Sequence, residues 1–449
     1  MTRQQRLVIF ISILASFVAF LDGSVVNVAL PAIVRDLGGG LAVQQWVVDA
    51  YMITLGSLML LAGSLSDLFG RKRILLMGLV LFGITSVFCA IAPNAATLVL
   101  SRGLQGIAGA LLVPSSLALI ISSFSGALQA KAIGTWTAWT GIAFVIGPLL
   151  GGFLVDVWSW RLIFAINIIP IAVTVWLMAF LDNEDQPVRA HIDGWGAALG
   201  VVALGGPVYA LIEQANYGWG SPLIYLPLGA GFVAAAVFLS HERRSKAPML
   251  PLSLFRVRNF SVGNVATFAI YAGLAVSGFL ITIFVQQVGG YSATASGLAL
   301  LPVTIIMFFL SSRFGLLAGT YGSRLFMALG PIVAGIGFLT MLRMGETVHY
   351  WTELFPGVVI FGLGLTMTVA PLTSAVLGSI GTAQAGIGSA VNNAVSRIAG
   401  LVAIAAVGIV IGDAISLTSF RRGIVMISLL LFAGGIISAL GIQNTKKDR

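Results

Sequence analysis

"GSLSDLFGRKR" (residues 63–73) packs one acid and three bases into eleven residues, and long runs nearly free of charge flank it on both sides. Crossing ~30 Å of hydrocarbon takes about 20 apolar residues in a helix. The flanks, 44–65 and 73–92, each reach that length, so the stretch reads as a tight turn between two membrane-spanning helices. A barrel strand is much shorter and alternates polar with apolar residues, which neither flank does.

Outward from that turn the same reading gives spans near 8–30, 44–65, 73–92, 95–121, 131–155, 161–181, 194–214, 222–240, 260–287, 296–317, 324–342, 350–378, 385–412 and 423–442. Fourteen helices, an all-α polytopic membrane protein, is the expected class. Composition agrees: of 449 residues 58 % are hydrophobic and 9 % charged, too few to coat a soluble core. With the N-terminus inside, 17 Lys/Arg fall in inner loops and 5 in outer ones (Arg35, Arg161, Arg343, Arg421, Arg422). That bias puts both termini in the cytoplasm, and it explains the net charge of +9 better than nucleic-acid binding does. Arg3 and Arg6 precede the first run as in a signal peptide, but no A-x-A-like site ends it, and it reads as the first span. A single cysteine, Cys89, excludes an intramolecular disulfide, and His191, His241 and His349 lie far apart without metal-ligand spacing. No GxxxxGK[ST] loop offers an ATP site, and no cluster of polar residues at one membrane face suggests an enzyme. No cofactor or metal is expected.

Two long polar stretches divide the chain into an N-terminal six-helix bundle (1–181), a cytoplasmic linker (182–193), an inserted helix pair (194–240), a basic linker (241–259) and a C-terminal six-helix bundle (260–449). The halves carry a faint repeat: "GLLAGTYGSRL" (315–325) matches "GSLSDLFGRKR" at an offset of 252, with Gly315 on Gly63 and Gly322 on Gly70, while Gly319 replaces Asp67 and Ser323 replaces Arg71.

These residues resemble the major facilitator superfamily in its fourteen-helix drug:proton antiporter branch, over nearly the whole chain. "GSLSDLFGRKR" is similar to the family's loop 2–3 signature, with Gly63, Asp67, Gly70, Arg71 and Arg73 in place. "LSRGLQG" (100–106) resembles its fourth-helix motif through Arg102, Gln105 and Gly106. "GTWTAWTGIAFVIGPLLGG" (134–152) is similar to the fifth-helix antiporter motif at Gly134, Gly147, Pro148, Gly151 and Gly152, with Ala143 where glycine is frequent. "LDGSVVNVALP" (21–31) and "WRLIFAINIIP" (160–170) resemble the patterns of helices 1 and 6. The resemblance implies a cytoplasmic latch at loop 2–3, broken as two halves rock, and a hinge and seal in helix 5 that marks exporters. Without it, Arg71–Arg73 read as topology anchors and the glycines as close helix packing.

The charges at depth carry the chemistry. Asp22 lies ~21 Å along span 1, and Arg102 ~10 Å below the outer face in span 4, which is one level. A carboxylate in hydrocarbon keeps its charge beside a guanidinium and takes a proton without one, so a distance that changes between conformations couples protonation to transport. A fixed structural pair, or an Arg102 bonded to backbone carbonyls, is the alternative. Asp49 either contacts protons or a cationic substrate near the outer vestibule or caps the start of span 2. Asn27, Gln105, Asn392 and Arg397 are further candidates for the substrate cavity, with helix packing as the competing role for Arg397. Trp136 and Trp139 either stack on an aromatic substrate or anchor the interface. Asp156 and Arg161 flank one outer loop and read as a local pair.

The expected function is a secondary active exporter in the cell membrane, driven by the proton gradient through alternating access, with lipophilic drugs or antibiotics as cargo. The expected partners are that small molecule, protons and membrane lipids, with the chain monomeric. A dedicated exporter of a lipid, a metabolite or a self-made antibiotic fits the sparse cavity acids as well; a receptor on this fold should lack the coupling acid.

Overall fold

In a computed structural model, described for residues 1–182, 193–245, 248–381, 384–412 and 414–444, all regular structure is helical. The linker expected at 182–193 lies, apart from its two ends, outside the described residues, as do Lys246 and the tail 445–449. The first seven helices are α1 (Arg3–Leu37), α2 (Gly40–Phe69), α3 (Arg71–Ala90), α4 (Ala95–Ser123), α5 (Gly126–Val157), α6 (Leu162–Ala165) and α7 (Ile168–Met178). A pair follows, α8 (Gly194–Tyr217) and α9 (Pro222–Arg244). The last set is α10 (Arg258–Gln287), α11 (Ala293–Ala299), α12 (Leu301–Tyr321), α13 (Ser323–Thr340), α14 (Phe355–Leu377), α15 (Ala385–Ile411) and α16 (Leu417–Gly441).

Among the described residues twelve helical stretches are long and apolar enough to cross a bilayer. α2 makes a thirteenth when its segments Gly40–Met59 and Leu61–Phe69, bent by 53°, are taken as one span. The sixth expected span departs from the reading: instead of one helix over 161–181 there is a shorter broken piece, Leu162–Met178. Pro170 explains the break, because its ring clashes with the carbonyl four residues back and α7 can only begin after Ile166.

Local chemistry sets the helix ends. Thr2 accepts from the Gln5 backbone while the Gln5 side chain accepts from the Thr2 backbone, and Asn94 and Thr97 repeat that reciprocal cap on α4. Ser221 caps α9, with Pro222 in the first turn, where no N–H is needed. The turns α2–α3 and α12–α13 are each a single residue, Gly70 at φ 96° and Gly322 at φ 92°. A side chain at either φ would be strained, so glycine is what permits so abrupt a reversal.

Two compact units result: residues 1–210, 219–249 and 292–297, and residues 211–218, 250–291 and 298–449. In the first, α1 packs on α4, α5 and α7, α2 on α4, and α3 on α4 and α7. In the second, α10 packs on α14, α15 and α16, α12 on α14, and α13 on α14 and α16. These are the same six pairings in the same order, so the sequence repeat is a repeat of packing. Helix α9 is peripheral, with 17 % of its apolar stretch buried against 72 % for α10. It crosses α8 at small residues: a Cβ on Gly206 would strike the Pro227 carbonyl, and one on Gly231 the Pro207 ring.

Candidate functional site

The polar centre of the first unit is built by five helical segments around one carboxylate. Asp22, in the middle of α1, is fully buried, and Arg102 on α4 is 1 % exposed. Arg102 Nη1 donates to Asp22 Oδ2 at 2.5 Å and to Gln105 Oε1 at 2.7 Å. Gln105, one turn along α4 on the same face, donates from Nε2 to Asp22 Oδ1 at 3.0 Å and to Ser86 Oγ at 2.9 Å. Asn167, in the break before α7, donates to the same Asp22 Oδ1 at 3.0 Å. The carboxylate thus accepts three bonds from three side chains, one of them cationic, which is how a buried charge is kept.

Arg102 is held from its other side as well. Its Nε donates to the Val47 carbonyl at 3.0 Å, and its guanidinium lies 4.3 Å over the Tyr51 ring, with Phe164 at 5.6 Å. Helix α2 must come very close to α4 for this, and Gly106 is the reason it does: a Cβ there would collide with Thr54 Oγ1 and the Tyr51 carbonyl. Thr54 donates to the Gly103 carbonyl at 2.7 Å in the same crossing. The spacing Arg-x-x-Gln-Gly is therefore one device, two polar arms on one face and a glycine that lets the neighbouring helix reach them.

The glycines of α5 close on α1 beside the acid. A Cβ on Gly147 would collide with Ser24 Oγ, and one on Gly151 with the Val25 side chain. Ser24 Oγ donates to the Ala143 carbonyl at 3.0 Å, across the same seam. Gly152 meets another segment, since a Cβ on it would sit 2.5 Å from Thr294 Cα, and Pro148 adjoins Gly297. Gly134 has nothing within contact distance of such a Cβ and is not a packing glycine.

The remaining candidates are scattered. Asp49 is fully buried, and neither of its oxygens has a hydrogen-bond partner among the described residues. It lies nine residues into α2, ~13 Å along the axis, and Gly39 is the N-cap, so capping is excluded. Asn27, five residues after Asp22, is half-buried. Trp136 donates to Ser16 Oγ at 3.0 Å, whereas Trp139 is 54 % exposed. In the second unit Asn392 donates to Asn264 Oδ1 at 3.1 Å and Thr267 Oγ1 at 2.9 Å, and Arg397 is half-buried on α15. At the α2–α3 turn Arg71 pairs with Asp67 at 3.3 Å; Arg73 lies on the first turn of α3, and the Gly63 position is open.

One pairing is corrected. Asp156 does not meet Arg161: its oxygens accept from the Ala293 and Thr294 backbone at 2.9 and 2.8 Å, while Arg161 pairs with Asp36 at 2.5 Å and stacks on Trp160. A carboxylate in the last turn of α5 sits at the negative end of the helix dipole, so N–H donors from another segment hold it better than its own helix end can.

Sequence reasoning missed Asn167 and Ser86. Asn167 had a signal, an amide inside the apolar run "WRLIFAINIIP", whereas a serine such as Ser86 is common in any membrane helix.

The buried ion pair thus lies at the centre of the first unit of a chain with at least twelve membrane-length apolar helices among its described residues. The family model of the Major Facilitator Superfamily matches residues 12–404. The chain belongs to the major facilitator superfamily. It is a multi-span membrane transporter, not an enzyme. The Multidrug resistance protein Stp of Mycobacterium tuberculosis is 35 % identical over 430 residues, 93 % of this chain and 78 % of that one. The Methylenomycin A resistance protein of Bacillus subtilis is 33 % identical over 412 residues, 90 % and 87 % of the two chains. A probable actinorhodin transporter of Streptomyces coelicolor is 32 % identical over 406 residues, 88 % and 70 %. Among solved structures the xylose transporter XylE of E. coli superimposes with a TM-score of 0.67 at 14 % identity, over 98 % and 97 % of the chains, which is a likeness of fold.

Proposed function

We propose that this transporter is a proton-coupled exporter of lipophilic drugs or antibiotics, working by alternating access. The observation that carries the proposal is the Asp22 centre: one buried carboxylate, held by Arg102, Gln105 and Asn167 on separate segments. Such a group is charged while its donors surround it and accepts a proton when they separate. Helices that slide against one another therefore change the affinity for a proton, and proton binding in turn favours one arrangement of the helices. Relatives named for multidrug and methylenomycin resistance favour outward transport of such compounds. The glycine seam that presses α5 onto α1 at Ser24 and Val25 transmits movement of α5 to the acid two residues away.

Around this centre the other groups take proposed roles. Gly63, Asp67, Gly70, Arg71 and Arg73 form a cytoplasmic latch, and Gly134, Gly147, Pro148, Gly151 and Gly152 the hinge motif. Asp49, buried without a hydrogen-bond partner among the described residues, is a second place for a proton or a cationic group of the cargo. Asn27, Trp136, Trp139, Asn392 and Arg397 are candidates for cargo contact. The bias of Lys and Arg toward one side orients the chain in the cell membrane with both termini cytoplasmic. The proposed organisation is two six-helix bundles, 1–181 and 260–449, with 194–240 inserted between them, acting as a monomer without a cofactor.

The test is drug-driven proton movement in vesicles of purified protein. Wild-type protein should release protons when drug is added and lose transport with an uncoupler, and Asp22→Asn should lose both while eluting as folded protein. Wild-type rates in Asp22→Asn would end the coupling role of this acid. A narrower cargo is the second reading, favoured by the relative named for actinorhodin transport. A drug-susceptibility panel in an efflux-deficient host separates the two, because a dedicated exporter protects against one compound class only.

A further inference from the structure

At the start of α16 stand two arginines that the inside bias of Lys and Arg does not account for. Arg421 and Arg422 are adjacent and exposed, and in the orientation proposed above they face the outer side, against the bias that gathers Lys and Arg inside. They do not serve the helix dipole, whose positive end lies one turn away at Leu417. Neither forms an ion pair among the described residues; Arg421 makes a single 3.4 Å bond from Nη2 to the Met344 carbonyl. Arg161, another outer arginine, is by contrast neutralised by Asp36.

Both arginines head an open groove of about 720 Å³ within the second unit. Its floor is the exposed side of α16, where Val425, Leu429 and Ala433 follow one another at steps of four residues. Leu342, in the turn after α13, and Val410, at the end of α15, also line it. From Arg422 to Ala433 the floor runs ~16 Å, about the full depth of hydrocarbon in one leaflet. The groove itself is apolar throughout, with the two arginines lining its head by their aliphatic stems while both residues stay exposed there.

We propose that this groove seats an anionic phospholipid of the outer leaflet, its phosphate held by Arg421 and Arg422 and one acyl chain lying along Val425, Leu429 and Ala433. Guanidinium groups match phosphate oxygens in geometry and charge, and two of them above a greasy channel select a lipid that carries net negative charge over a zwitterionic one. A lipid bound this way braces the outer ends of α13, α15 and α16 against one another.

The experiment uses the purified full chain and reads binding, not transport, so its failure leaves the exporter proposal standing. Phosphatidylglycerol and phosphatidylcholine are titrated separately against the detergent-solubilised protein, with bound lipid counted by native mass spectrometry and melting followed in parallel. Wild-type protein should bind one phosphatidylglycerol in preference to phosphatidylcholine and melt higher with it. Each arginine near an anionic headgroup contributes roughly a factor of five, so Arg421→Gln with Arg422→Gln should weaken phosphatidylglycerol about 25-fold. Leu429→Trp keeps both charges but fills the channel, and it should weaken binding about tenfold or more. Equal wild-type affinity for the two lipids, which needs no variant, would overturn the proposal. So would a double variant that binds as wild type, or an unaffected Leu429→Trp, which would leave only a general attraction of lipid to surface charge.

Discussion

Asp22 and its donors in the first unit, and Asn392 with Asn264 and Thr267 in the second, are polar clusters of opposite chemistry. Both join the first helix of a unit to other helices: α1 to α4 and the α6–α7 break in one, α10 to α15 in the other. One is a charged pair sealed from water, the other a neutral hydrogen-bonded set. A neutral amide cluster holds helices together equally well whatever the proton gradient does. A buried ion pair cannot be indifferent, because removing the charge of one partner changes the energy of the other. The helical scaffold is therefore repeated without the ion pair being repeated.

That contrast can be broken most forcefully at Arg102. Arg102→Gln leaves the Asp22 charge buried without its cation, and stability should fall by about 3–5 kcal/mol in thermal or denaturant unfolding. Adding Asp22→Asn should restore most of that loss but none of the proton-coupled transport. A double variant no more stable than the single one would mean the two groups are not energetically coupled.

Asp67→Asn is expected to behave in reverse. Its side chain is 44 % exposed, and an exposed i,i+4 pair with Arg71 is worth only a few tenths of a kcal/mol. Melting should not move, yet turnover should drop about tenfold with drug affinity kept, if the loop stabilises one conformation by about 1.4 kcal/mol. A weaker drug affinity at normal turnover would contradict a latch. The smallest effect belongs to the neutral cluster: Asn392→Ala removes two hydrogen bonds to uncharged partners, costing about 1–2 kcal/mol of stability. Drug-driven proton release should stay within about twofold, and its loss would show that the second unit shares in the switch.

Much of this was legible because it is local. Spans are read from apolar runs, since hydrocarbon forces every backbone group into helical bonding, and this needs no knowledge of neighbours. The α2–α3 turn was legible through Gly70, and its twin through Gly322, because only glycine adopts so abrupt a reversal at no steric cost. The single level of Asp22 and Arg102 followed from counting rise per residue along two antiparallel helices. The sixth span was read as unbroken although Pro170 was in plain view, because hydropathy averages over a single kink. The Asp156–Arg161 pairing failed for a different reason: nearness in the chain was taken for nearness in space.

Sequence alone settled the class and pointed to a deep acid at Asp22, since each is a property of composition or of spacing along one helix. Tertiary structure decided the company that acid keeps. Gln105 from α4 and Asn167 from the break before α7 meet at one oxygen of Asp22, while Gly106 lets α2 close on α4 so that Val47 and Tyr51 reach Arg102. Hydrogen bonding demands a few tenths of an ångström across segments 145 residues apart, and no pattern along the chain carries that precision.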